Sequence, residues 1–400
     1  MVIWSPKKTA LVLVSVLIAL GFAWYVSRNP MDFRVYYHGA KGVFEGIRPV
    51  YGNYSGMGWP MHYRYPPLFL FLVRPFTALS LPGAAALFTL LKAASLFFLI
   101  RALWNRLGRT GSKVAWIIPL IIAGPYVIED LRYGNAQGFI FVLTAAALLV
   151  LPGAPVVAAA ALALGISIKV WPLFFVPVLA ARRLWRVVGW TMAFTAILFL
   201  LPALHFGIGG NAFLIQEWVQ QEFSTQTGQG EIWFPSQSLR GVLMRYLTVI
   251  DYSHVPDSNY PLIHVAAMAP STVRMAWLIA VGILYLGLLA IAARKKPPIF
   301  GVIEALAFTG LVLLEPFSQK YTLVVLLWPA MVAGRLALKS RARGLLWVMA
   351  VMAFAQPAFI GRGAQRLFQV LGVDFLLTAL LAAFLVYTIF ESPTERWSSG

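Results

Sequence analysis

Cysteine is absent from the 400 residues, which excludes a disulfide framework, thiolate chemistry and any metal site that needs sulfur ligands. Charged residues are also scarce: they make up 12% of the chain, whereas hydrophobic residues make up 60%. The mean hydropathy is +0.77. A soluble domain cannot bury so much apolar surface, so the bilayer must be the main solvent of this chain. The composition therefore predicts a polytopic integral membrane protein.

Apolar segments follow one another along the whole chain, and a membrane-spanning helix needs roughly 20 such residues. The pattern predicts an all-α bundle of about twelve transmembrane helices in a single domain over 1–400. The predicted spans are 8–26, 83–100, 114–128, 137–151, 156–168, 171–181, 187–204, 274–293, 299–314, 321–334, 345–360 and 374–390. Several are short, which predicts broken or tilted helices around an internal cavity. Alternatively, 156–168 and 171–181 form one membrane-buried hairpin.

Basic residues occur in short clusters between these spans, with an even number of predicted crossings between successive clusters. Because such clusters favour the cytoplasmic side, both termini are predicted to be cytoplasmic, in a multi-pass protein of the inner or plasma membrane. The first apolar run resembles a signal peptide but lacks a small-residue cleavage site, so it is interpreted as a retained helix. The clusters are Lys7 and Lys8; Arg101, Arg106, Arg109 and Lys113; Arg182, Arg183 and Arg186; Arg294, Lys295 and Lys296; and Arg335, Lys339, Arg341 and Arg343.

Two long segments, 27–82 and 205–273, fall on the opposite, extracytoplasmic side of this topology. Both are rich in Tyr, Trp, Pro and Gly, and their apolar stretches are too short to span a bilayer. They are predicted to contain interfacial helices that lie on the outer leaflet. Ten of the 14 acidic residues also fall on this side, Glu231 and Asp257 among them. The polar chemistry is therefore expected at the extracytoplasmic face.

Asp32 is the first candidate functional residue, since it directly follows the first predicted span. A carboxylate at this depth can accept a proton from a hydroxyl group and make that oxygen a stronger nucleophile. The alternative is that Asp32 only marks the helix end or caps the amphipathic helix that follows. Nearby, Arg64 and Tyr65 precede paired prolines that are predicted to open a short apolar helix. These two side chains are candidates for ligand contact, with interfacial anchoring as the alternative.

Further polar residues lie at the predicted outer ends of apolar helices, where a charge is costly unless it is paired or lines an aqueous cavity. Lys169 and Lys320 are candidates to hold a lipid phosphate, because a compact ammonium group suits a phosphoryl oxygen. Their alternative is snorkelling to the interface or pairing with Glu315 and Asp32. The uncharged candidates for substrate binding at these ends are Asn135 and Gln137.

The segment Pro235-Ser-Gln-Ser-Leu-Arg-Gly241 contributes Gln237 and Arg240 as further candidates. The planar guanidinium of Arg240 suits a phosphate, although Ser236 or Ser238 capping a helix whose arginines face lipid headgroups is the alternative. The sequence contains no GxxxxGK[ST] loop, no HExxH motif and no carboxylate cluster with divalent-metal spacing. Neither a metal nor another cofactor is expected, and the clustered basic residues do not form a nucleic-acid-binding face.

Several strings together resemble glycosyltransferase family 87, a GT-C class family of the polyprenol-phosphate-mannose-dependent mannosyltransferase type. The most specific part runs through Asp32-Phe-x-x-Tyr36-Tyr37-x-x-Ala40 and Phe44-x-Gly46-x-x-Pro49-x-Tyr51 to Tyr65-Pro-Pro-Leu-Phe69. The other matching strings are Gly134-Asn-Ala-Gln137, Ile168-Lys-x-x-Pro172, Ser236-Gln-Ser-Leu-Arg-Gly241 and Pro316-Phe-Ser-Gln-Lys-Tyr321.

This resemblance implies a GT-C-type helical bundle that transfers a sugar with inversion from a polyprenyl monophosphate donor. The acceptor would be an envelope glycolipid or glycan, and the family's general base corresponds to Asp32. It further implies substrate contacts for Tyr36 and Tyr37. Gly134-Asn-Ala-Gln137 departs from the family's common Gly-Gln-x-Asn, and Ser236-Gln-Ser238 from Asn-Gln-Ser. Lys320 lies near where relatives often carry a histidine, so the sugar is expected to be mannose or another hexose or pentose.

Two competing functions are compatible with a chain of this kind. A secondary transporter or a flippase for lipid-linked sugars also has about twelve spans, broken helices and buried charges. Such proteins usually show two related halves and a site at the midplane, whereas here the polar groups collect at one face. A polymer ligase or scaffold in envelope assembly is the third possibility.

Overall fold

The computed structural model describes residues 6–46, 50–51, 62–108, 114–227, 236–252, 260–294, 300–337, 343–355 and 361–391. The following residues singled out from the sequence lie outside these ranges: Lys295, Lys296, Lys339, Arg109, Lys113, Arg341, Glu231, Asp257, Pro49 and Pro235.

Within the described residues all regular secondary structure is helical, which confirms the all-α prediction. The seventeen α-helices are α1 (Pro6–Ser27), α2 (Met31–Phe44), α3 (Pro67–Val73), α4 (Leu81–Leu107), α5 (Val114–Tyr133), α6 (Gln137–Val150), α7 (Pro155–Ile168), α8 (Phe175–Ala181), α9 (Trp185–Leu200), α10 (Ala203–Thr227), α11 (Leu239–Leu247), α12 (Pro270–Ala292), α13 (Val302–Leu314), α14 (Leu327–Ala337), α15 (Arg343–Ala355), α16 (Gly361–Leu371) and α17 (Val373–Glu391). Short 3-10 helices cover Arg74–Ala78, Trp171–Phe174 and Lys320–Leu326.

Three described helices are long and apolar enough to cross a membrane by themselves: α4, α12 and the apolar part of α17. A fourth span results if α9 and the first part of α10 are counted as one bent pair. Shorter apolar helices, such as α6, α7 and α13, lie where short spans are predicted. The protein is therefore a helical membrane protein, and the number of twelve crossings stays a prediction.

Proline and serine set the helix starts around the candidate site. α3 begins at Pro67, directly after Pro66, as the paired prolines predict. Ser80 caps α4 by accepting a hydrogen bond from the backbone N–H of Gly83. The chain turns sharply after α9, because α9 and α10 are inclined at 94° to each other. α10 thus begins nearly perpendicular to α9.

Two buried hydrophobic clusters hold the bundle together. The larger one involves α4 to α8, α13 to α15 and α17. The second is aromatic and lies where α2 and α3 meet the starts of α4 and α6. In this aromatic cluster the rings of Phe33 and Phe88 have centroids 4.7 Å apart, and those of Tyr65 and Phe69 are also 4.7 Å apart. It forms the support beneath the first turn of α2, where Asp32 lies.

The two ends of the bundle differ in charge chemistry. At one end, Arg182 pairs with Glu304, and Arg335 donates to the carbonyl of Gly108 at 3.1 Å. Glu304 lies in the first turn of α13, whereas Glu315 directly follows its last residue. Glu315 is 11 positions after Glu304, so at about 1.5 Å per helical residue the two glutamates lie about 16 Å apart along the helix. Arg182, from one of the predicted cytoplasmic clusters, therefore lies at the end of α13 away from Glu315.

Candidate active site

Asp32 is the second residue of α2, and its side chain is only 5% exposed. Its carboxylate oxygen Oδ2 accepts a hydrogen bond of 2.7 Å from the side-chain amide of Asn135. Pro30 occupies the N-cap position of α2, and no side chain caps this helix. The capping alternative for Asp32 is therefore wrong. Its other oxygen, Oδ1, makes no hydrogen bond to any residue in the described part of the chain, which leaves it able to accept a proton.

The orientation of the Asn135 amide follows from its other bonds. Its oxygen Oδ1 accepts the backbone N–H of Gln137 at 2.8 Å and the hydroxyl of Tyr65 at 3.4 Å. An amide oxygen cannot donate, so the NH2 group must face Asp32. The Tyr36 and Tyr65 hydroxyls lie 2.7 Å apart, and the Tyr36 oxygen accepts the backbone N–H of Ala136 at 3.4 Å. The Tyr36 hydroxyl therefore donates to Tyr65, and the Tyr65 hydroxyl donates to Asn135.

Burial and the neighbouring polar groups shift the pKa of Asp32 in opposite directions. Burial raises the pKa of Asp32 to about 6, although the Asn135 hydrogen bond and the positive charges of Lys169 and Lys92 lower it. The negative charge of Asp130 raises it further. A carboxylate whose pKa lies close to neutral pH can take up a proton during a reaction and release it afterwards. Asp32 thus has the properties of a general base.

Lys169 directly follows α7 and lies beside the Asp32 cluster. Its ammonium group is 3.4 Å from Oε1 of Gln137 and 5.7 Å from the centroid of the Tyr65 ring. The indole N–H of Trp171 donates to the same Gln137 oxygen at 3.1 Å. The charged neighbours of this ammonium group are Glu315, Arg64, Glu222 and Asp32. These groups act on Lys169 through their charges, but Lys169 forms no ion pair with Glu315 or Asp32 in the described part of the chain. Phosphate binding and pairing both remain predictions for this lysine.

Glu315 and Lys320 lie on the short segment between α13 and α14. Burial raises the pKa of Glu315 to about 8, and the positive charge of Lys169 opposes this shift. Its oxygen Oε1 is buried without a hydrogen-bond partner among the described residues. Lys320 is half-buried at the start of the following 3-10 helix. Glu315 is thus a charged neighbour of Lys169, whereas no described contact joins Lys320 to Lys169 or to Asp32.

Arg64 and Tyr37 make contacts that hold the two long segments in place. Arg64 forms a two-pronged pair with Glu222 of α10, with both N–O distances 3.0 Å. The Tyr37 hydroxyl donates to the backbone carbonyl of Leu79 at 2.7 Å. Arg64 is therefore paired with a carboxylate next to Lys169, whereas Tyr37 ties α2 to the chain that leads into α4.

Gln237 and Arg240 belong to a neighbouring cluster around α11. Ser238 caps this helix by accepting the backbone N–H of Gly241 at 3.2 Å, as the alternative interpretation predicts. Gln237 donates from its side chain to the carbonyl of Gln369, and from its backbone to the carbonyl of Ser318. Arg240 is only 5% exposed, so it does not face lipid headgroups, and its guanidinium carbon lies 5.2 Å from the Trp277 ring centroid. The Ser318 bond links this cluster to the segment that carries Glu315.

One feature of the site was missed by sequence reasoning: an ion pair between Lys92 of α4 and Asp130 of α5. Its N–O distance is 2.9 Å, and both side chains are fully buried. Removing one member of such a pair typically costs about 3–5 kcal/mol, since it leaves a buried charge. The available signal was the single lysine within the apolar run 83–100, because a charge inside a spanning helix requires a partner.

Sequence comparison assigns a family to this all-helical membrane protein with a buried carboxylate site. The sequence profile of glycosyltransferase family 87 matches residues 63–316, which is well over half of the chain. The protein therefore belongs to glycosyltransferase family 87, and its class of activity is glycosyl transfer. No curated protein sequence matches the chain. The matched region begins after Asp32 and ends before Lys320. Membership of this family favours the glycosyltransferase prediction over the transporter and scaffold alternatives.

Proposed function

We propose that this protein transfers a sugar from a polyprenyl monophosphate donor to a glycolipid or glycan acceptor, with inversion at the anomeric carbon. The observation that carries the proposal is the buried carboxylate of Asp32, which the Asn135 amide holds at one oxygen while the other oxygen has no hydrogen bond within the described residues. Mannose or another hexose or pentose would be the transferred sugar.

In this reaction, Asp32 removes the proton from the acceptor hydroxyl as that oxygen attacks the anomeric carbon. The bond from the anomeric carbon to the phosphate oxygen breaks on the opposite face, and the bonding electrons leave with the polyprenyl phosphate. Direct displacement by the acceptor produces the inversion. Asp32 then passes its proton to water, so the residue is regenerated at the end of each cycle.

Positive charge on the leaving phosphate is the second requirement of this mechanism. Lys169 is the first choice, since it is the cation that contacts Gln137 and interacts with Asp32. Lys320, on the segment after α13, and Arg240, in α11, would extend the phosphate site. Arg64, Tyr65, Asn135, Gln137, Gln237 and Glu315 offer hydrogen-bonding groups to the sugar and the acceptor. Tyr36 would act through Tyr65, and Tyr37 through the position of α2.

The proposed location is the inner or plasma membrane, with both termini in the cytoplasm and the Asp32 site on the extracytoplasmic face. The position of Arg182 beside Glu304, at the end of α13 away from Glu315, supports this orientation. A lipid-linked donor would then reach the site laterally from the outer leaflet.

The direct test is transfer by purified protein from a panel of polyprenyl-phosphate sugars to envelope glycolipids, with NMR of the product to read its anomeric configuration. Asp32→Asn should lower kcat by at least about 100-fold, because it removes the base and keeps the size of the side chain. Glu45→Gln is the matched control on an exposed carboxylate at the end of the same helix, and it should turn over like the wild type. Wild-type turnover by the Asp32→Asn variant, or retention of configuration, would overturn the proposal.

A further inference from the structure

The Lys92–Asp130 ion pair holds one particular turn of the chain. The Lys92 ammonium donates to the backbone carbonyl of Asp130 at 2.6 Å and to that of Asn135 at 2.7 Å. The second carboxylate oxygen of Asp130 accepts the backbone N–H of Gly138 at 3.1 Å. Within the turn 134–138, Lys92 therefore binds Asn135 and Asp130 binds Gly138.

This turn is also pressed against the first turn of α2. Gly134 has a φ of 67°, which favours glycine, and a Cβ atom built there would lie 3.0 Å from the Cβ of Phe33. Phe33 is the residue next to Asp32. The turn thus packs closely against α2, and a side chain at position 134 would crowd Phe33.

Asn135 is the member of this turn that touches Asp32, at 2.7 Å. Its backbone carbonyl is held by Lys92, while its side-chain oxygen is held by the backbone N–H of Gln137. Neither Lys92 nor Asp130 hydrogen-bonds to Asp32 itself among the described contacts. The pair can therefore affect the Asp32 carboxylate in two ways: through the position of Asn135, or through the charges of Lys92 and Asp130 themselves.

We infer that Lys92 and Asp130 are positioning residues for the transfer reaction: their buried pair fixes the turn 134–138 so that the Asn135 amide orients the Asp32 carboxylate. This inference rests on the proposed role of Asp32 as general base. A merely structural pair would stabilise the packing of α4 against α5 and α6 and leave kcat of the folded enzyme unchanged.

Asp130→Asn is the test variant, because an asparagine oxygen still accepts the Gly138 N–H while the ion pair is lost. Its kcat should fall by about 10- to 100-fold, with the KM for the donor within about threefold of the wild-type value. In an Asn135→Ala background the same substitution should lower kcat by less than about threefold, since the residue through which it acts has gone. Glu304→Gln breaks the ion pair with Arg182 at the other end of the bundle and should leave kcat unchanged.

Losses in kcat that multiply in the Asp130→Asn/Asn135→Ala double variant would overturn the inference, as would a wild-type kcat for Asp130→Asn. If Asp130→Asn does not give monodisperse protein, Lys92→Gln replaces it, with the same two outcomes, because a glutamine amide still donates to a backbone carbonyl while the ion pair is lost. Asp32→Asn is assayed in parallel. Wild-type turnover by Asp32→Asn would overturn the proposed function itself. If Asp32→Asn is inactive and Asp130→Asn is fully active, only the positioning role is overturned.

Discussion

The side-chain amide of Asn135 donates a 2.7 Å hydrogen bond to Asp32, although 103 positions separate the two residues in the chain. A donor at this distance stabilises the charged form of a carboxylate and opposes the effect of burial. The bond also fixes which oxygen of Asp32 is occupied. Asn135 is therefore the residue that hydrogen-bonds to the candidate base in the described part of the chain.

The rate of transfer should depend on pH through the ionisation of Asp32. Burial raises the pKa of this carboxylate to about 6, and only the ionised form can accept a proton. We expect kcat/KM to rise about tenfold per pH unit below pH 6 and to level off above about pH 7. The charged groups that interact with Asp32 are Lys169 after α7, Lys92 of α4 and Asp130 of α5. A rate that does not vary between pH 5 and pH 8 would contradict this assignment.

The raised pKa of Asp32 also predicts how the stability of the fold depends on pH. Because the pKa is higher in the fold than in the unfolded chain, the protonated form is the one that folding favours. The contribution of Asp32 to stability is therefore complete below about pH 4 and is lost as the pH rises through about 6. Asp32→Asn should melt a few degrees above the wild type at pH 7.5 and show no such gain at pH 4.

Replacing Lys169 should weaken the donor phosphate site. Lys169→Met keeps the length and apolar stem of the side chain but removes its charge, so the KM for the donor should rise roughly 10- to 100-fold. Initial rates measured over a range of donor concentrations give this value. Lys41→Met is the matched control, since Lys41 is exposed on α2 and lies 3.9 Å from Glu45. An unchanged KM for Lys169→Met would assign the phosphate to another cation.

The orientation of the bundle can be tested with single cysteines, because the wild-type chain has none. Ala78→Cys lies on an exposed position just before α4, and Gly153→Cys lies in the exposed turn between α6 and α7. A membrane-impermeant maleimide added to intact cells should label the cysteine at 78 and leave the one at 153 unlabelled. After the membrane is permeabilised, both should react. The reverse pattern would place the Asp32 site in the cytoplasm.

Much of the secondary structure follows from local properties of the sequence. Hydropathy and proline positions predict the apolar helix that ends near Ser27, the start of α3 at Pro67 and the helix over 137–150. These features could be predicted because a run of apolar residues needs the bilayer or the protein interior whatever surrounds it. The 94° bend between α9 and α10 could not, since no local pattern sets the angle between two helices.

The candidate site was predicted in part. The sequence identified Asp32, Asn135, Gln137 and Lys169 one by one, because polar residues at the ends of apolar helices are conspicuous. It gave no means of distinguishing Tyr36, which bonds to Tyr65, from Tyr37, which bonds to the carbonyl of Leu79. Adjacent residues on a helix point in different directions, so their partners depend on which face the helix packs.

Composition and hydropathy identify an apolar, helical membrane chain, and they single out the few polar residues that are candidates for chemistry. Solvent preference is a property of each segment, so it can be read without knowledge of the fold. The hydrogen bond from the Asn135 amide to Asp32 and the buried ion pair between Lys92 and Asp130 are known only from the packing of the helices. Such contacts join helices far apart in the chain, and they are fixed by packing and by the need to satisfy every buried charge.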